Sequence, residues 1–162
     1  MPLTINSQDI DIIVPAVITH NLGNSAATVT EFSADLNVEY LQQYNNRTIY
    51  LETKQFGHET NTGSNTSEVH VKCVTDLKFM NSTTDTLFVT RVNVGTGGSS
   101  DDTVTGQVEK DLGVVELAKV PGGDIKFTFK DLFNENLTVT NSGTKIPLFN
   151  KVSFYFNLYI MK

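Results

Sequence analysis

Residues Lys151 to Lys162 alternate without a break: Val152, Phe154, Phe156, Leu158 and Ile160 fall on one side, Ser153, Tyr155, Asn157 and Tyr159 on the other. Strict period two over that length is the pattern of a β-strand with one dry face. At the edge of a sheet, so apolar a strand would template association with other chains, so its expected place is between two neighbours. Both neighbours then come from earlier in the chain, which makes the topology non-local and Greek-key-like rather than a meander.

A chain of 162 residues is long enough for one domain with a substantial core. Hydrophobic residues make up 39% and charged residues only 19%. Thr, Asn, Ser and Gly supply much of the remainder, a mixture of β-branched and turn-forming residues that suits an all-β protein with polar loops. The formal net charge is −6, and no run of Lys and Arg occurs anywhere. Direct binding of nucleic acid by phosphate neutralisation is therefore not expected, nor is binding to an anionic membrane.

Cys73 is the sole cysteine, which excludes an intramolecular disulfide. In the alternating run Val69 to Val74 it shares a face with Val69 and Val71, so it is expected as a small core hydrophobe rather than a reactive thiol. The stretch Met1 to Asn6 has neither the basic start nor the apolar core of a signal peptide, and no segment is long and apolar enough for a membrane span. A soluble chain made in a reducing compartment is expected.

Residues 1–27 are read as an N-terminal arm, although Ile10, Ile12 and Ile13 suit a short extended piece. From residue 28 to 162 strands follow in succession. They are expected at Phe32 to Val38, Thr48 to Phe56, Glu68 to Thr75, Asp85 to Val94, more weakly Thr103 to Lys110, Val114 to Val120, Ile125 to Lys130, Asn136 to Thr140 and the closing run. Gly57 to Ser67 and Gly95 to Asp102 read as polar loops, Pro121 to Asp124 and Asn141 to Gly143 as turns. One helical turn fits Val38 to Gln43. About eight main strands and no long helix predict a single domain of all-β class: a two-sheet antiparallel sandwich of jelly-roll, Greek-key type.

No catalytic constellation stands out, and no catalytic, cofactor-binding or metal residue is assigned. His20, His58 and His70 are far apart and belong to no H-x-x-x-H or C-x-x-C pattern. Asp9 with Asp11, and Asp101 with Asp102, lack the further spaced acids of a calcium loop. Gly95 to Gly98 is followed by neither Lys-Ser/Thr nor a helix, as a phosphate cradle requires. Nucleophile elbows are absent, and so is the Trp that commonly platforms a sugar. The sequons at Asn46, Asn65, Asn81 and Asn136 are no more than such a Ser/Thr-rich chain produces by chance, and are read as turn chemistry.

Two stretches carry a resemblance. One is Phe32 to Val38, a polar link, then Arg47 to Phe56; the other is Leu137 to Phe149 running into the closing strand. Together they resemble the opening and closing strands of single-jelly-roll capsid proteins, in particular the penton or minor capsid proteins of virophage and polinton-like double-stranded DNA viruses. That resemblance implies a non-enzymatic virion protein without cofactors, whose partners are copies of itself, as a homopentamer at a shell vertex, and other capsid proteins. Residues 1–30 contain no Lys or Arg, a departure from coat proteins that package a genome with a basic arm. The competing expectation is a phage tail or fibre-tip domain, or a lectin-like sandwich that binds through its loops. In either case Gly57 to Ser67 and Gly95 to Asp102 are the loops expected to face a partner.

Overall fold

The computed structural model describes residues 3–23, 30–62, 68–80, 84–94, 103–110 and 112–162. In chain order its elements are β1 (Ile10–Asn21), β2 (Glu31–Ala34), the helical turn α1 (Val38–Leu41), β3 (Ile49–Asn61), β4 (Glu68–Thr75), β5 (Thr86–Asn93), β6 (Thr103–Val108), β7 (Val114–Glu116), β8 (Ile125–Lys130), β9 (Thr138–Asn141), β10 (Thr144–Pro147) and β11 (Phe149–Met161). One sheet has the order β1-β11-β3-β6, with β7 also on β3; the other has the order β2-β8-β4-β5. A small hairpin, β9 with β10, stands apart from both.

With β7 and that hairpin set aside, eight strands remain, and they pair from the outside of the chain inward. β1 pairs with β11, β2 with β8, β3 with β6, and β4 with β5, each antiparallel. A long hairpin rolled so that successive pairs fall alternately in two sheets is a jelly roll. The closing strand lies in mid-sheet, between β1 and β3.

Alternation explains the core. Val152, Phe154, Phe156, Leu158 and Ile160 of β11 are all buried, and they meet Phe32, Phe127 and Phe129 from the other sheet. Phe154 sits at the centre, with the rings of Phe32, Phe56, Phe88, Phe127, Phe129 and Phe156 all centred within 6.2 Å of its own. Along β3 the inward parity changes from Ile49, Leu51 and Thr53 to Phe56, His58 and Thr60. A bulge is responsible: Tyr155 pairs with Gln55 while Phe156 pairs with Thr53, which leaves Lys54 as the extra residue.

The expected arm is corrected. Ile10 to Asn21 is a full strand of twelve residues, paired with β11 along its length, and it opens the jelly roll. Phe32 to Ala34 and Ile49 to Phe56, taken above as opening strands, are therefore the second and third. The strand expected through Val38 stops at Ala34, because Asn37 adopts a left-handed φ of 59° and the Asp35 carboxylate accepts from Val38 N at 3.0 Å to start α1. Nor is Gly57 to Asn61 loop: it continues β3, held by β11 on one side and β6 on the other. Thr62 follows it and is buried, and residues 63–67 and 95–102 of the expected partner-facing loops lie outside the described residues.

Candidate functional site

Among the described residues β1 is an edge strand, hydrogen-bonded only to β11. Its inner side carries Ile12, Val14, Ala16, Ile18 and His20; its outer side carries Asp11, Ile13, Pro15, Val17 and Thr19. Three of those outer residues are apolar, which a solvated face does not require. Ile13 is 53% exposed and Val17 67%. Pro15 between them is tolerated because the strand is an edge, and a proline there disfavours addition of another chain to the ladder. The proline blunts the edge and leaves the outward face exposed.

The register extends this face across the sheet. Val17 lies opposite Tyr155, Pro15 opposite Asn157, and Ile13 opposite Tyr159; Tyr159 in turn faces Tyr50 on β3. Tyr155 is 37% exposed. The polar groups of the face are tied sideways to one another. Tyr159 Oη donates to Glu52 Oε1 at 2.9 Å, Lys54 pairs with Glu52 at 3.3 Å, and Arg47 pairs with Asp11 at 2.8 Å. The bond to Glu52 raises the Lys54 ammonium above its ordinary pKa, and partial burial raises the Tyr159 phenol. What the face offers a partner is apolar area and aromatic rings, with several of its charges already neutralised laterally.

A second exposed apolar element lies in the turn after β8. Asp131 Oδ1 accepts from Phe133 N at 2.8 Å and from Glu135 N at 2.9 Å, and Asp131 N donates to Glu135 O at 2.9 Å. Asn134 closes the turn in the left-handed region at φ 66°. This tight Asx turn holds Leu132 53% and Phe133 86% exposed.

The residues weighed from sequence are scattered. His20 stacks on Phe32 with ring centres 4.5 Å apart, His70 is exposed opposite Arg91, and His58 is buried inside β3. Asp11 is engaged by Arg47, while Asp101 and Asp102 lie outside the described residues. Among the described residues no three of His, Cys, Asp and Glu gather where they would hold a metal ion. Cys73 is fully buried in the core, and burial pushes its thiol far up from the ordinary range. Asn46 and Asn136 are exposed; Asn65 and Asn81 are outside the described residues.

Sequence reasoning missed Ile13, Val17, Leu132 and Phe133. The signal was present in both places: a run apolar at both parities around a proline, and an apolar pair inside an otherwise polar turn.

No family model matches the chain, and no curated protein matches it. Solved structures do match. A structure of Desmodium yellow mottle tymovirus is 14% identical over 99% of this chain and 93% of its own, with a TM-score of 0.35. One of the giant freshwater prawn Macrobrachium rosenbergii extra small virus VLP is 6% identical over 98% and 83%, with a TM-score of 0.31. One of the mud crab tombus-like virus is 13% identical over 99% and 87%, with a TM-score of 0.27. The jelly-roll assignment rests on the strand order, which stands without these overlaps.

Proposed function

We propose that this protein is a non-enzymatic structural subunit of a virus shell that works by associating with copies of itself. The observation that carries this reading is the exposed apolar face formed by Ile13, Val17 and Tyr155 on the sheet that holds the first and last strands. Jelly rolls serve viral capsids and lectins alike, so fold alone does not choose between them. A lectin needs a polar site that a sugar can enter, whereas a shell subunit needs broad apolar surface on its flanks. Burying each of these side chains completely is worth roughly 1.5–3 kcal/mol, and since they are already partly covered, about 1 kcal/mol apiece remains for an interface.

The finer reading is a closed ring of five at a shell vertex, in the manner of a penton or minor capsid protein that also contacts other capsid proteins. Its support is the resemblance of the second and third strands, and of Leu137 to Phe149 with the closing strand, to that group. Solution mass tests both levels. A ring of five has five times the 17.9 kDa of one chain. A strictly monomeric protein at high concentration would sink the assembly reading, and a trimer would redirect it towards a fibre-tip module.

A further inference from the structure

We infer that the contact between copies is heterologous: the Asp131 to Glu135 turn of one copy seats Phe133 and Leu132 on the Ile13, Val17 and Tyr155 face of the next. This rests on the self-assembly reading above and assigns its interface. The argument begins from two uncovered apolar surfaces on one chain. Phe133 is 86% and Val17 67% exposed, so neither covers the other within a molecule.

They also belong to opposite sides of the sandwich. Val17 and Tyr155 point outward from the first sheet. The turn leaves β8 in the second sheet, and Asn134 Oδ1 meets the Nζ of Lys72, which alternates with buried Val71 and Cys73 and therefore points away from the core. Two surfaces that face away from each other on one copy meet only between copies. Joining different patches head to tail generates a ring when the rotation closes. An isologous pairing of two β1 faces would leave Phe133 of every copy in water.

The turn is already built for this. Its two hydrogen bonds from backbone N–H groups to the Asp131 carboxylate fix the turn's backbone before contact, so that only side-chain rotamers remain to be ordered on docking. Charge agrees as well. Glu135 is exposed beside Phe133 and Lys151 is exposed on the outward side of β11, two alternations from Tyr155; among the described residues neither has an ion-pair partner. A chain of net charge −6 repels its copies unless opposite charges meet where they touch.

Single cysteines test the assignment in the full chain, because Cys73 is fully buried and leaves a clean background. Val17→Cys and Phe133→Cys proteins are prepared separately, mixed at assembling concentration and oxidised. A disulfide-linked pair that needs both proteins is the expected product. Phe133→Ser is expected to keep the fold, since the side chain is in solvent, and to weaken self-association roughly tenfold or more through loss of one aromatic anchor. Val17→Cys alone cross-linking as efficiently would establish a face-to-face contact and overturn the inference. So would an assembled particle in which neither cross-link forms, although self-assembly would then stand. A monomer at every concentration would remove both readings together.

Discussion

The imidazole of His58 lies across the backbone of Gly106, its partner on the neighbouring strand, so closely that a Cβ on Gly106 would sit 2.5 Å from His58 Cε1. The ring has nowhere easy to go, since Phe56 and Phe149 flank it with centres at 5.4 and 5.6 Å. Gly106→Ala therefore forces His58 or β6 to shift, and overpacking of this kind costs about 1–3 kcal/mol. Urea unfolding of Gly106→Ala, His58→Ala and the double variant measures it. The expected result is coupling, with the double variant less destabilised than the sum of the singles; simple additivity would mean that the ring does not set the requirement for glycine.

His58 also makes the fold sensitive to acid. Burial lowers its pKa below the ordinary 6.5, and among the described residues its Nδ1 has no hydrogen-bond partner. Above the ordinary value both folded and unfolded chains hold the ring neutral, and no pH dependence arises from it. Below it the unfolded chain takes up a proton that the folded chain refuses, so stability falls with pH until the folded pKa is passed. Thermal melts from about pH 7.5 to 5.5 should show a steeper loss in the native chain than in His58→Leu. Equal slopes would place the acid sensitivity elsewhere.

Arg47 ties three strand ends together. Its Nε donates to Met161 O at 2.7 Å, its Nη2 reaches the same carbonyl, and Nη2 pairs with Asp11 at 2.8 Å. The ion pair is partly solvated and contributes little, whereas the charge-assisted bonds to Met161 O are worth more. Arg47→Ala should cost about 1–2 kcal/mol and Asp11→Ala less than about 0.5 kcal/mol. Amide exchange at Met161, whose N–H donates to Thr48 O, should rise in the first variant and stay near native in the second.

Phe154 and Phe156 admit no charge. Both are fully buried, and the ring of Phe154 is surrounded by six others. Phe156→Asp should yield no folded protein, while Phe154→Ala, which leaves a cavity, should lose about 3–5 kcal/mol in chemical denaturation. A soluble, cooperatively melting Phe156→Asp chain would contradict the mid-sheet position of β11.

Thiol chemistry reports on the same core from a different side. With Cys73 fully buried and its thiol held protonated, a maleimide at mildly alkaline pH should label the native chain only at the rate of opening, and promptly in denaturant. Prompt labelling without denaturant would mean that the sheet around Cys73 opens far more readily than its packing implies.

Much of this architecture was legible because burial on one side imposes its period on the sequence. Lys151 to Lys162 announced a strand with a dry face, Glu68–Thr75 and Ile125–Lys130 were legible to the residue, and the turn expected at Asn141 to Gly143 is formed by Ser142 and Gly143, with Asn141 ending β9. β1 was not. Ile10 to Asn21 is apolar on both sides, so alternation disappears, and only its pairing with β11 shows it to be a strand rather than an arm. The property that hid the strand, apolar residues facing outward, is the property that makes its face a candidate contact surface. Gly57 to Asn61 failed for a related reason: glycine, histidine and polar side chains read as loop, and the hydrogen-bonding partners that make them strand lie some 50 and 90 residues further along the chain.

The chain by itself therefore determined the β class, the mid-sheet placement of its last strand and the inward side chains of that strand, since each follows from which side chains avoid water at period two. Tertiary structure alone decided which strands lie side by side, the bulge at Lys54 that turns Phe56 inward, and the outward display of Ile13, Val17 and Phe133. Those depend on pairings between distant segments, and local periodicity carries no record of the partner.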